Sequence, residues 1–154
     1  MKFLGAKDNK LSFQIEAWEK RLLFELLNLY PAVPAGHHKL TRANDHPEDQ
    51  QLLDETLAAQ RKENRERVAA LLKNASRFHE VEDGFNFEFD VGQVEWLLQV
   101  LNDVRVGSWI KLGSPEGPRE LFAAVNDKTA AQFWAIEAVG HFQMALLGAL
   151  NGEK

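Results

Sequence analysis

The sequence predicts an α+β fold that is predominantly α: a helical bundle with a small antiparallel β-sheet formed by residues 2–15 and 77–89. Three observations predict it. Apolar residues recur at helical spacing in four long stretches, alternate at period two in two short ones, and are separated by turn and capping residues. With 154 residues, 45% hydrophobic and 27% charged, the chain has the balance of a single globular domain, 1–154.

The first fifteen residues read as a hairpin. A Lys7-Asp8-Asn9-Lys10 turn follows Phe3, and Leu11, Phe13 and Ile15 then alternate. From Glu16 the period becomes helical, with Ile15, Trp18, Leu22, Leu26 and Leu29 on one stripe, widened by Leu23 and Leu27. Pro31 and Pro34 end that helix. A loop over 31–47 leads to Pro47-Glu48-Asp49, a helix start with early carboxylates.

This second helix is expected over 48–74, with Leu53, Leu57, Val68 and Leu71 as its core stripe and Gln60 and Asn64 interrupting it. Its middle, Gln60 to Arg67, is polar almost all round and reads as a solvated arm held by pairs such as Glu63–Arg67. Strand chemistry returns with the Asp83-Gly84 turn and alternating Phe85, Phe87 and Phe89. Asp90 with Gln93 forms a capping box that opens a helix to about Leu112. A connector rich in glycine and proline, Gly113 to Pro118, leads to a short helix at 119–125 and a last helix over 128–150.

Charge and composition narrow the function. Residues 1–77 carry 13 Lys/Arg against 11 Asp/Glu, net +2, and residues 78–154 carry 5 against 12, net −7. A chain of net charge −5 is not expected to be a dedicated nucleic-acid binder, and the Arg61–Arg67 stretch nets only +2. Without cysteine there is no disulfide framework, thiolate metal site or thiol nucleophile. The longest purely apolar run, Met144 to Leu150, is far short of a membrane span. Neither a membrane partner nor export is expected, and the location expected is cytoplasmic. No G-x-S-x-G, P-loop, dinucleotide fingerprint or H-E-x-x-H is present.

Two clusters remain as candidate sites. On the helix after Asp90, the residues Val94, Leu97, Leu98, Leu101, Val104, Ser108 and Leu112 share a face, and Arg105 falls near its middle. A buried guanidinium must be paired or must reach water along its stem. Asn102 flanks it, Trp109 stands at i+4 for a cation–π contact, and Asp103 projects from the far side. The last helix has an apolar face of Phe133, Ile136, Val139, Leu146, Leu147 and Leu150, with Gln143 inside it, Glu137 at its border, and Gly140 able to admit a close neighbour. Packed together, the two helices would offer Gln143 and Glu137 to Arg105, either as a structural polar pair or as an anion- or carboxylate-binding pocket. The second cluster is the loop with His37, His38 and His46, joined by Asp45, Glu48 and Asp49, which has donors for a divalent metal such as zinc; Lys39 and Arg42 oppose a cation there. No other cofactor is expected. The four tryptophans are expected in the core, with Trp96, Val100, Trp134 and Phe142 forming a second apolar surface that is either covered by the hairpin or used in self-association.

The segment Leu101-Asn102-Asp103-Val104-Arg105 through Leu112-Gly113 resembles the L-N-D-x-R-L…R-L-G helix of a bacterial family, domain of unknown function two-thousand-and-seventeen. Trp96-Leu97 looks like that family's preamble, and Phe142 to Leu147 is similar to its terminal L-Q-E-x-L-V element. Met144 departs from the pattern by standing where an acid is expected. The resemblance covers about a third of the chain, all in its C-terminal half. It implies a cytoplasmic bacterial protein without an assigned activity, some of whose relatives carry the label of transcriptional regulator, and it marks Asn102, Asp103, Arg105 and Gln143. The expected function is therefore a non-enzymatic interaction or regulatory protein, with a protein partner or self-association as a homodimer. The alternative is a small-molecule-binding or metal-dependent enzyme using the Arg105 pocket or the histidine loop.

Overall fold

The structure, a computed structural model, describes residues 1–37 and 46–152. It is mostly helical, with a small four-stranded antiparallel sheet. Strands β1 (Lys2–Lys7) and β2 (Lys10–Ile15) form the first hairpin, turning at Asp8 and Asn9, both in the left-handed region. Helices α1 (Ala17–Asn28) and α2 (Pro47–Lys73) follow, and a 3-10 turn at Ala75–Arg77 leads into β3 (His79–Val81) and β4 (Gly84–Asp90). Helices α3 (Val91–Lys111), α4 (Pro118–Ala123) and α5 (Ala130–Leu150) complete the fold.

The sheet order is β1-β2-β4-β3. Alternation gives it one apolar face: Leu11, Phe13 and Ile15 of β2 and Phe87 and Phe89 of β4 are buried. Phe13 pairs with Phe87 in register, and their rings stack with centroids 5.3 Å apart. Gly84 is required at the second turn, since its φ is +128° and a Cβ there would fall 2.3 Å from the Ile15 carbonyl oxygen.

Helix α3 is the central element, packed on α5, α1 and β4. Its Asp90 cap and Gln93 close the expected box: each side chain accepts from the other's backbone N–H. Helix α5 is, among the described residues, the one helix long and apolar enough to cross a membrane by length and composition, although no unbroken apolar run signals it. Its Ala135, Ile136, Val139, Phe142, Leu146 and Ala149 are buried within the fold.

Several packing expectations are corrected. In α2, only Val68 and Leu71 of the expected stripe are buried, together with Asn64, while Leu53 and Leu57 are half-buried. Gly140 admits no close neighbour. Gly107 does, because a Cβ there would meet Ala32 at 2.4 Å. Of the tryptophans, only Trp96 is in the core; Trp18, Trp109 and Trp134 are exposed.

Candidate functional site

Helices α3, α4 and α5 and the connector before α4 enclose an open cleft of about 730 Å³. Its walls are apolar: Val106 and Trp109 from α3, Leu121 and Phe122 from α4, Phe133 and Ile136 from α5. Three of the residues singled out by sequence, Asn102, Arg105 and Glu137, also line it, with Glu116 from the connector. The connector is held by the Trp109 indole, whose Nε1–H donates to the Pro115 carbonyl at 3.0 Å. Rings continue past the cleft, from Phe122 to Phe133 (5.9 Å between centroids) and on to Trp134 (5.6 Å). Phe122 and Trp134 are each 67% exposed.

Arg105 donates to Gln143 Oε1 at 3.1 Å, so the two interruptions of apolar periodicity do meet. The guanidinium is nevertheless exposed, not lodged among leucines. The reason lies in Trp96 and Val100. Both are buried, with Gly107, on the side of α3 that faces away from Leu98. With Val94, Leu97, Leu101, Val104 and Ser108 they form a buried arc whose centre lies roughly 60° from that of the expected face at about 100° per residue, leaving Arg105 just outside its edge. Of the expected second apolar surface, Trp96, Val100 and Phe142 are buried and Trp134 alone is exposed.

The rest of the cluster divides. Glu137 shares the cleft, but among the described residues no ion pair joins it to Arg105, and no cation–π contact joins Arg105 to Trp109. Asp103 lies on the opposite side of α3, where its Oδ1 accepts from the backbone N–H groups of Ala32 (2.6 Å) and Val33 (3.3 Å). It clasps the turn after α1 against Gly107, a structural task separate from the cleft.

The histidine loop lies only in part within the described residues. His38, with Asp45, Lys39 and Arg42, falls outside the described residues. His37 donates its backbone N–H to the Pro34 carbonyl, and His46 is the residue before α2. Among the described residues, no group of three His, Asp or Glu side chains is placed to hold a metal ion.

Two polar clusters escaped sequence reasoning. Asn64 is 8% exposed; its Nδ2 donates to the Tyr30 hydroxyl at 3.3 Å and its Oδ1 accepts from Trp96 Nε1 at 3.0 Å. Glu19 is 4% exposed and takes the N-terminal ammonium, the Glu16 backbone N–H and His141 Nε2 at 2.8 Å. Burial alone would push its carboxyl up, but the hydrogen bonds from the ammonium, the Glu16 amide and His141, with the ammonium's charge, outweigh that and hold it below its ordinary value. A signal was present: Glu19 stands four residues after Ile15, on the stripe assigned to Trp18, which is exposed. Compared with known protein families, curated proteins and solved structures, the chain matches none.

Proposed function

We propose that this chain is a non-enzymatic binding protein whose α3–α4–α5 cleft receives an apolar segment of a protein partner, with Arg105 meeting one carboxylate on it. The fold serves as a helical bundle capped by the sheet, and the L-N-D-x-R resemblance is the ground for placing it in a bacterial cytoplasm. The observation that carries the reading is the cleft itself: apolar side chains from all three helices surround it, and Arg105 at its edge is held by a neutral amide, which orients the guanidinium without neutralising it.

The apolar surface extends along Phe122, Phe133 and Trp134, and α5 also exposes Met144 and Leu147 further along its length. That reach suits a polypeptide better than a small molecule. Glu116 and Glu137 on the walls disfavour a strongly acidic occupant, so the complementary segment is apolar with a single carboxylate. The lining holds no serine, threonine, cysteine or histidine, which supports recognition over nucleophilic catalysis.

The test replaces Phe122 with a photo-crosslinking residue and irradiates the protein in a bacterial lysate. The expected product is a crosslink to one other protein, lost in Arg105→Ala and Leu121→Asp variants of unchanged melting temperature. A crosslink only to a second copy, with a doubled mass in solution, would replace the partner by a homodimer. Crosslinking indifferent to both variants would overturn the reading.

A further inference from the structure

We infer that a second site, at the junction of α2, the 3-10 turn and α3, binds the phosphate group of a phosphate monoester or free phosphate. It rests on other residues than the cleft and stands independently of it. Arg67 of α2 and Arg77 of the 3-10 turn line one pocket of about 200 Å³, together with Asn74, Gln93 and Trp96. Sequence reasoning pairs Arg67 with Glu63, but no such ion pair forms among the described residues. The Arg67 guanidinium lies over the Trp96 ring instead, its Cζ 4.5 Å from the centroid, and Arg77 lies over Phe89 at 5.3 Å. Trp96 is itself immobilised by burial and by its bond to Asn64.

Stacking occupies the flat face of a guanidinium and leaves its in-plane N–H fork for hydrogen bonds. Among the described residues, neither fork has a carboxylate within ion-pair distance or a hydrogen-bond acceptor in the chain. The two amides point to the same chemistry. Asn74 Oδ1 accepts from the Ser76 hydroxyl at 2.6 Å, and Gln93 Oε1 accepts from the Asp90 backbone N–H at 3.0 Å. Each amide oxygen is thus engaged within the chain, and each retains an NH₂ group to donate. Among the described residues, no carboxylate lines the pocket. Two guanidinium forks and two amide donors without an opposing charge match the oxygens of a tetrahedral dianion.

The volume, several times a water molecule's share of about 30 Å³, suits a phosphate with a short ester substituent. Glu88 and Asp90 lie in the adjoining hollow on the sheet side, which shares Asn74, Arg77 and Gln93. They disfavour a polyanion running across both, so a single phosphate is favoured over a nucleic-acid backbone.

Calorimetric titration at constant ionic strength tests this, with inorganic phosphate and phenyl phosphate as separate arms. One saturable site is expected at millimolar or lower concentration, with the two ligands competing. Tighter phenyl phosphate supports an ester as the source, and equal or tighter inorganic phosphate supports the free ion. Arg77→Gln is expected to weaken binding at least about tenfold. Asn74→Asp should do the same, because it keeps the side chain's shape and its bond to Ser76 while placing a carboxylate in the pocket. The exposed surface change Lys128→Gln should leave binding unaltered. No saturable heat in either arm, equal binding by Asn74→Asp at unchanged melting temperature, or arginine-dependent binding of a short DNA duplex without binding of either phosphate would each overturn the proposal.

Discussion

Helices α2 and α3 each carry a polar residue in an apolar stripe expected from sequence, Asn64 in one and Arg105 in the other, and these two interruptions have opposite outcomes. Asn64 goes inward and is satisfied on both ends of its amide by Trp96 and Tyr30. Arg105 goes to the rim and is tethered by one hydrogen bond to Gln143. The difference follows from the neighbouring surface. A short neutral amide can be fully paired in the interior, while a guanidinium with five donors is far harder to satisfy there. An interruption in periodicity therefore locates a polar contact between elements but leaves its burial to be decided by what packs on the other side.

That contrast can be broken most forcefully on the buried side of α3. Gly107→Ala would drive a Cβ into the backbone of Ala32, which the Asp103 clasp holds in place, and should cost about 3 kcal/mol in denaturant unfolding. Asn64→Ala removes the acceptor of a buried indole N–H and should cost about 2 kcal/mol by the same measurement. Were Asn64→Ala no worse than a surface change, the interior reading of Asn64 would fail.

Glu19 extends the comparison to a buried charge. Its folded-state carboxyl titrates below 4.5, so between that lowered value and 4.5 the unfolded chain binds more protons. The contribution is present above 4.5 and is lost as pH falls through the folded value. Unfolding followed from neutral pH to below 4.5 should show wild type losing stability more steeply than Glu19→Gln. The smallest effect belongs to Arg105→Met, expected within about 0.5 kcal/mol of wild type. A loss of several kcal/mol there would restore the buried network that the sequence suggests.

Much of the fold is legible locally. The Asp90–Gln93 box, Pro31, Pro47 and the alternating phenylalanines each act within a few residues, so the mostly helical α+β class follows from them. The Arg105–Gln143 contact is legible too, because two independent breaks in pattern point to it. The orientation of α3 is not, since it depends on which helices cover Trp96 and Val100. Arg67 is the sharper case: Glu63 is its natural local partner, and the aromatic ring that wins lies on another helix. The cleft walls drawn from α4 and the connector escape notice for the same reason, as nothing in Leu121 or Phe122 alone says which helix they face.

The bond from the Trp109 indole to the Pro115 carbonyl ties the connector to α3, beside the backbone bond from the Ser114 N–H to the Trp109 carbonyl. It acts as a tie-rod: together with that backbone bond, one side chain fixes where the connector sits against α3. An occupant wedged against that ring would load the tie directly, so the same tryptophan that shapes the opening would be the first to register, through its emission, that something had entered.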